Sequence, residues 1–157
     1  MDMDDKYINS FKVGVKEVLA NFNVTVVKEA EDFKKEKMEV DTDITAVLGI
    51  VGDIRGNVTF SMSRKTAKKI VSYMLIGMPD EEVSQLAISA VGELSNMITG
   101  TSVRKIEKES GFIIDITPPS VIFGRDMYFM ITNLETVGFN METEHGNVQV
   151  NLAMEEA

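Results

Sequence analysis

The sequence predicts an α+β fold in which long helices pack on one face of a mostly antiparallel sheet. Three observations carry this. An amphipathic helical pattern opens the chain, β-branched runs flank a turn-rich link at 44–61, and two helical patterns in succession lead into a last group of strand-like runs. Helix, strands, helices, strands is the order of a layered fold rather than of alternating βαβ units.

Over 5–21, Ile8, Phe11, Val15, Val18 and Leu19 recur at helical spacing, so a first helix is expected to end near Asn21. Residues 24–30 read as a strand. From Glu29 to Glu39 the chain is charged and poor in apolar residues, which predicts an exposed edge or a mobile loop. Ile44 to Val51 and Asn57 to Ser61 form a hairpin across Gly52-Asp53-Ile54-Arg55-Gly56. Ser63 is placed as the N-cap of a short basic helix.

Met78-Pro79-Asp80 then starts a long helix, with Glu81 and Glu82 in the first turn where the helix dipole favours acids, and Gly111 sits where a C-terminal glycine is expected. Phe112 to Ile116, Tyr128 to Leu134 and Val148 to Leu152 supply the later strands. Pro118-Pro119 lacks amide donors, so it belongs at an edge or turn.

Composition bounds the function classes. At 157 residues and 44% apolar content the chain fits one domain, 1–157, able to bury more than about 65% of its unfolded surface. No cysteine is present, so disulfides and thiolate metal sites are excluded. Met1-Asp2-Met3-Asp4-Asp5 has neither the basic start nor the apolar run of a secretory signal, and no apolar run approaches the roughly 18 residues of a membrane helix, so a cytoplasmic location is expected. A formal charge of −9 disfavours nucleic acid, which selects for positive patches. Arg64, Lys65, Lys68 and Lys69 alternate with Ala67, Ile70, Val71 and Met74, the pattern of a solvated outer face; an acidic or phosphorylated protein partner is the other use for such a cluster.

The chemistry concentrates in Gly92-Glu93-Leu94-Ser95-Asn96-Met97-Ile98-Thr99-Gly100. At about 100° per residue, Glu93 and Asn96 are surface neighbours. Val83, Leu86, Ala87, Ala90, Val91, Leu94, Met97 and Ile98 share a core-facing arc, while Gln85, Ser89, Gly92, Glu93, Asn96 and Gly100 share the opposite sector. Gly92 and Gly100 each cost roughly 1 kcal/mol against Ala inside a helix, so a close approach is expected there, either of a partner or of another element of the same chain.

Leu86-Ala87-Ile88-Ser89-Ala90-Val91-Gly92-Glu93-Leu94-Ser95-Asn96-Met97 resembles the active-site helix of the CheC/CheX/FliY family of chemotaxis phosphatases. Asp115-Ile116-Thr117-Pro118-Pro119-Ser120-Val121 with Gly124-Arg125-Asp126 is similar to the segment after that helix in the CheX branch, and Gly49-Ile50-Val51-Gly52-Asp53-Ile54-Arg55-Gly56 is similar to its hairpin. Together these span most of 44–126. Ser63 to Ile76, where a CheC-type duplicate would lie, has neither Glu nor Asn, so one site per chain is expected. Glu144-His145-Gly146-Asn147 repeats the spacing in a turn-like context and is read as a loop.

The resemblance implies hydrolysis of the aspartyl phosphate on a CheY-type receiver domain. Asn96 holds the attacking water and Glu93 pairs with the receiver's lysine. Ser89, Gly92 and Gly100 let the receiver close over the helix. It also implies no cofactor on this chain, Mg2+ on the receiver, and a homodimer formed through sheet edges, for which Val148 to Leu152 is a candidate. Arg125 and Asp126 are expected to form a turn-fixing ion pair. His145, alone in a loop-like stretch, is expected to be simply solvated, and Met74 and Met97 to fill the core. Two other readings stand beside this one: a receiver-binding or flagellar-switch-like adaptor without catalysis, and a structural dimer that buries the glycine-bearing helix face against its own copy.

Overall fold

The computed structural model describes residues 5–157, without the side chains of residues 41, 42 and 125–127. The elements are α1 (Asp5–Asn21), β1 (Val26–Glu29), β2 (Phe33–Lys35), β3 (Met38–Gly52), β4 (Ile54–Met62), α2 (Arg64–Met74), α3 (Asp80–Ser110), β5 (Ile114–Ile116), β6 (Ser120–Thr132), β7 (Thr136–Thr143) and β8 (Gly146–Glu156). All strand pairings among the described residues are antiparallel, in the order β1-β7-β8-β4-β3-β5, with β2 also on β7 and β6 also on β3. The expected α+β architecture is the one observed.

Strand alternation builds the core. Ala46, Leu48 and Ile50 of β3, Val58 and Phe60 of β4, Phe139 and Met141 of β7, and Val148, Val150 and Leu152 of β8 face one way. They join Phe11 and Val15 of α1, Ile70 and Val71 of α2, and Val91, Leu94 and Ile98 of α3. Residues between them in the strands turn to the other face, where Thr45 and Ser61 share a hydrogen bond of 3.0 Å and Asn151 donates to Thr59 at 3.3 Å. Met74 and Met97 pack partly buried against the core, as expected.

Local signals act where the sequence places them. The Ser63 hydroxyl caps α2 by accepting from the Thr66 amide, and Gly111, at φ 77, ends α3 with its amide donating to Glu107. Between them α3 is anchored from the side. Its buried Ser95, Thr99 and Ser102 hydroxyls donate back to the carbonyls of Val91, Ser95 and Ile98 at 2.8, 2.8 and 2.7 Å, so each small polar group is satisfied inside the helix. This leaves a narrow face on which α1 lies. A Cβ at Gly14 would stand 2.1 Å from the Ser102 hydroxyl and 3.3 Å from the Ile98 carbonyl oxygen.

Four expectations change. Of the two expectations for 29–39 the exposed edge holds and the loop does not: β2 pairs with the outer side of β7, and β3 begins at Met38, which is fully buried. Ile54–Gly56 belong to β4, paired with Glu156–Met154, so the turn is confined to Gly52-Asp53. β6 begins at Ser120, eight residues before the expected strand, and β7 is a strand not foreseen. β8 lies between β4 and β7, so Val148 to Leu152 is interior and provides no dimer edge. The Arg125–Asp126 ion pair and the amino-terminal five-residue pattern lie outside the described residues, save Asp5.

The α1–α3 packing and the β3–β6 join can each be probed by substitution. Gly14→Ala should lower stability by about 1–3 kcal/mol through overpacking, and Gly14→Ala with Ser102→Ala should recover part of that loss; urea denaturation of the three variants checks it, and additive losses would refute the contact. At the β3–β6 join, the Tyr128 hydroxyl donates to Glu39, with Lys37 3.1 Å from the same side chain. Foremost through Tyr128, these hold the Glu39 carboxyl below its ordinary value of 4.5. Its stabilisation is therefore complete above that value and lost as pH falls through the lower folded value. Tyr128→Phe should shift acid unfolding to higher pH, and superimposable acid titrations would show that the bond contributes nothing.

Candidate functional site

The carboxylate and amide singled out in the sequence lie three residues apart on α3, Glu93 exposed and Asn96 half-buried. Ser89 is exposed one turn before Glu93, and Gly100 is half-buried, with only the Arg104 guanidinium, 3.3 Å away, near an added Cβ. The structure therefore brings Ser89, Glu93, Asn96 and Gly100 onto one accessible stripe.

Gly92 does not belong to it. It is buried, and a Cβ there would stand 3.1 Å from a Val121 methyl and 3.6 Å from the Pro119 ring. Of the two uses for a close approach, packing within the chain applies: the segment before β6 crosses the helix at Gly92. This corrects the expectation of a partner contact at Gly92 and leaves no open glycine groove there for a second copy to fill.

The crossing segment is itself fixed. The Gly49 amide donates to the Thr117 hydroxyl at 2.8 Å, and the Thr117 amide donates to the Gly49 carbonyl at 2.9 Å. Thr117 thus ties the turn to β3, and Pro118-Pro119 stiffens its passage over α3. The physical role of the Thr-Pro-Pro run is to clamp α3 one residue before Glu93 and four before Asn96.

Leu86 departs from its assignment to the core arc. It is 41% exposed and stands seven residues before Glu93, about two turns along the same stripe. An arc drawn from periodicity alone is too wide here; an apolar residue beside an exposed polar pair is the signal that could have found it. His145 also differs from expectation. Its ring stacks on Tyr73 with centroids 5.0 Å apart, its side chain is only 14% exposed, and its buried Nε2 has no hydrogen-bond partner, with Glu144 Oε1 3.6 Å away. It is packed in the β7–β8 turn rather than simply solvated.

Two cavities, of about 620 Å³ between α2, the start of α3 and the β7–β8 turn, and of about 730 Å³ between α1 and the end of α3, include neither Glu93 nor Asn96 in their walls. Among the described residues no group of three or more His, Asp or Glu is placed to hold a metal, and no helix is long and apolar enough to cross a membrane.

Fold and site thus define an α+β protein that carries an accessible Glu93–Asn96 pair on one long helix. This chain belongs to the family of chemotaxis phosphatases called CheX, whose family model matches residues 44–156. It is 36% identical over 125 residues to the CheY-P phosphatase CheX of Thermotoga maritima, covering 80% of each chain. The solved CheX of Desulfovibrio desulfuricans superposes with a TM-score of 0.81 at 25% identity, over 95% of this chain and 99% of that one. The CheX–CheY–BeF3–Mg2+ complex from Borrelia burgdorferi matches at a TM-score of 0.74 and 24% identity, over 96% and 98%.

The clamp at Gly92 separates packing from docking. Gly92→Leu should destabilise the chain by about 1–3 kcal/mol by overpacking against Val121 and Pro119, while Ser89→Leu, on the exposed stripe, should change stability by less than about 0.5 kcal/mol. Thermal denaturation of both variants checks this, and an unaltered melting temperature for Gly92→Leu would contradict the packing role.

Proposed function

We propose that this protein, as one CheX-type domain over 1–157 acting in the cytoplasm, hydrolyses the aspartyl phosphate of a CheY-type receiver domain, with Glu93 and Asn96 as its working side chains. The observation that carries the reading is the Glu93–Asn96 stripe, held accessible on a helix clamped directly beneath it. Membership of the chemotaxis phosphatase family supports the reaction class.

The division of labour follows from charge. Phosphoryl transfer needs little covalent chemistry from a helper protein; it needs an in-line water and neutralised charge. The receiver supplies the charge compensation through its lysine and Mg2+. That Mg2+ belongs to the substrate, in accord with the BeF3 and Mg2+ of the Borrelia burgdorferi CheX–CheY complex. Asn96 accepts from and donates to the water without adding charge beside an anionic phosphoryl group. The water oxygen bonds to phosphorus as the bond to the aspartyl oxygen breaks. The aspartate leaves as carboxylate, and the water's proton departs with inorganic phosphate.

Glu93 pairs with the receiver's lysine and sets the register of Asn96. Ser89 and Gly100, being small, let the receiver approach; Leu86 gives the stripe an apolar contact. A homodimer forms through the β6 edge. That strand pairs with β3 on one side, and its Phe123, Tyr128 and Met130 are 51%, 64% and 51% exposed.

Phosphate release from a receiver of the same organism, phosphorylated by a small-molecule donor with Mg2+, tests the reading. Asn96→Ala should lose about 100-fold or more of the added rate and keep its fold, and Glu93→Gln should raise KM by about tenfold or more. Full activity in Asn96→Ala would remove Asn96 from the reaction. Binding without acceleration by the wild type would make the chain an adaptor.

A further inference from the structure

The proposed reaction leaves the basic face of α2 unused. Arg64, Lys65, Lys68 and Lys69 are all exposed, and among the described residues none of them is in an ion pair of the structure. Elsewhere on the surface the lysines Lys12, Lys16, Lys37 and Lys105 do pair with carboxylates. In a chain of net charge −9, four adjacent cations outside these carboxylate pairings are a concentration of positive charge.

Their place in the fold gives them a direction. Lys68 borders two depressions. One is the cavity of about 620 Å³ that it shares with Lys65 and Lys69, with Asp80 and Glu144 also in its wall; the other is a groove of about 170 Å³ where Arg64 and Lys68 meet Ser84, Ala87 and Ile88 of α3. Ile88 adjoins Ser89, the first residue of the polar stripe on α3. The basic face therefore runs beside the first turns of α3 and reaches the stripe at its amino-terminal end. Arg64 is held at the far margin, its guanidinium 5.9 Å from the Phe123 ring centre and its amide donating to the Asp43 carboxylate at 3.2 Å.

We infer that Lys65 and Lys68 form a second half of the receiver-docking surface, taking the acidic rim that surrounds a receiver's phosphoaspartyl and metal site while the α3 stripe enters it. This rests on the proposed function, and charge complementarity selects the occupant. A receiver holds its metal with carboxylates and carries a phosphoryl group, so the surface around that site is anionic. With acids at Asp80, Glu81 and Glu82 nearby, the exposed α2 cations are what attracts such an anionic rim to this side of α3. The basic face orients the receiver and speeds encounter; the chemistry stays with Asn96.

The test is the affinity of the full chain for a receiver held in its active form by BeF3 and Mg2+, which reads docking independently of turnover, together with the kinetics of phosphate release. The variants are Lys65→Glu with Lys68→Glu, and a control of equal charge change, Lys28→Glu with Lys108→Glu, far from α2 along the chain and exposed. The α2 double variant should weaken Kd and raise KM about five- to tenfold at low salt with kcat unchanged; the gap should close within about twofold at high salt, and the control should stay within about twofold throughout. Unchanged melting temperatures verify folding. An unaltered Kd in the α2 variant, or an equal loss in the control, overturns the inference. If the wild type binds but Asn96 proves irrelevant to release, the catalytic reading fails while the Kd comparison still decides this one; if the wild type does not bind the receiver at all, both fall.

Discussion

The site depends on the crossing of α3 by the Thr117–Val121 segment at Gly92. Hydrogen bonds between Gly49 and Thr117 hold that segment to β3, and at Gly92 an added Cβ would press on the Val121 methyl at 3.1 Å, so the residue without a side chain fits Val121 and Pro119 against the helix. Farther along the helix, Gly14 brings α1 still nearer at Ser102. A long helix gripped at two places by close contacts of glycine has little freedom to roll, and its remaining face is set. Glu93 and Asn96 occupy that face. The physical economy of this helix is that rigidity is built below the surface, by packing, while the face left open carries the Glu93–Asn96 pair proposed to act on a receiver.

Such sparseness suits the proposed reaction, in which the receiver arrives with most of the catalytic apparatus. On that proposal, water exclusion and charge compensation come from the partner's surface closing over the α3 stripe. The short side chains at Ser89 and Gly100 and the half-buried Asn96 fit that docking. It also makes docking geometry decisive, and gives the exposed Leu86 and the cations of α2 work beyond solubility.

Much of this was legible from residues alone, for local reasons. The first helix, the Ser63 cap, the acid-rich start and glycine end of α3 and the Glu93–Asn96 pair follow from periodicity and capping chemistry, which act over a few residues. What escaped is non-local. Phe33–Lys35 becomes a strand only because β7 offers an edge, and Met38, buried despite its charged surroundings, starts a strand that pairs with β6. β8 reads as an exposed late strand in isolation and is interior only through the order of the sheet. Gly92 illustrates the limit most clearly. Spacing marks it as a place of close approach, but which surface approaches is a property of the fold, and it is the chain's own Pro119 and Val121.

The most direct measurement is the NMR perturbation map of the isotope-labelled chain titrated with a receiver held active by BeF3 and Mg2+. The account predicts that the Asn96 side-chain amide and the backbone amides of Leu86, Ser89, Glu93 and Gly100 shift most, with the face formed by Thr45, Thr59 and Asn151 unchanged. Perturbations clustered on that sheet face or along β1 and β2, with the Asn96 amide unmoved, would contradict it.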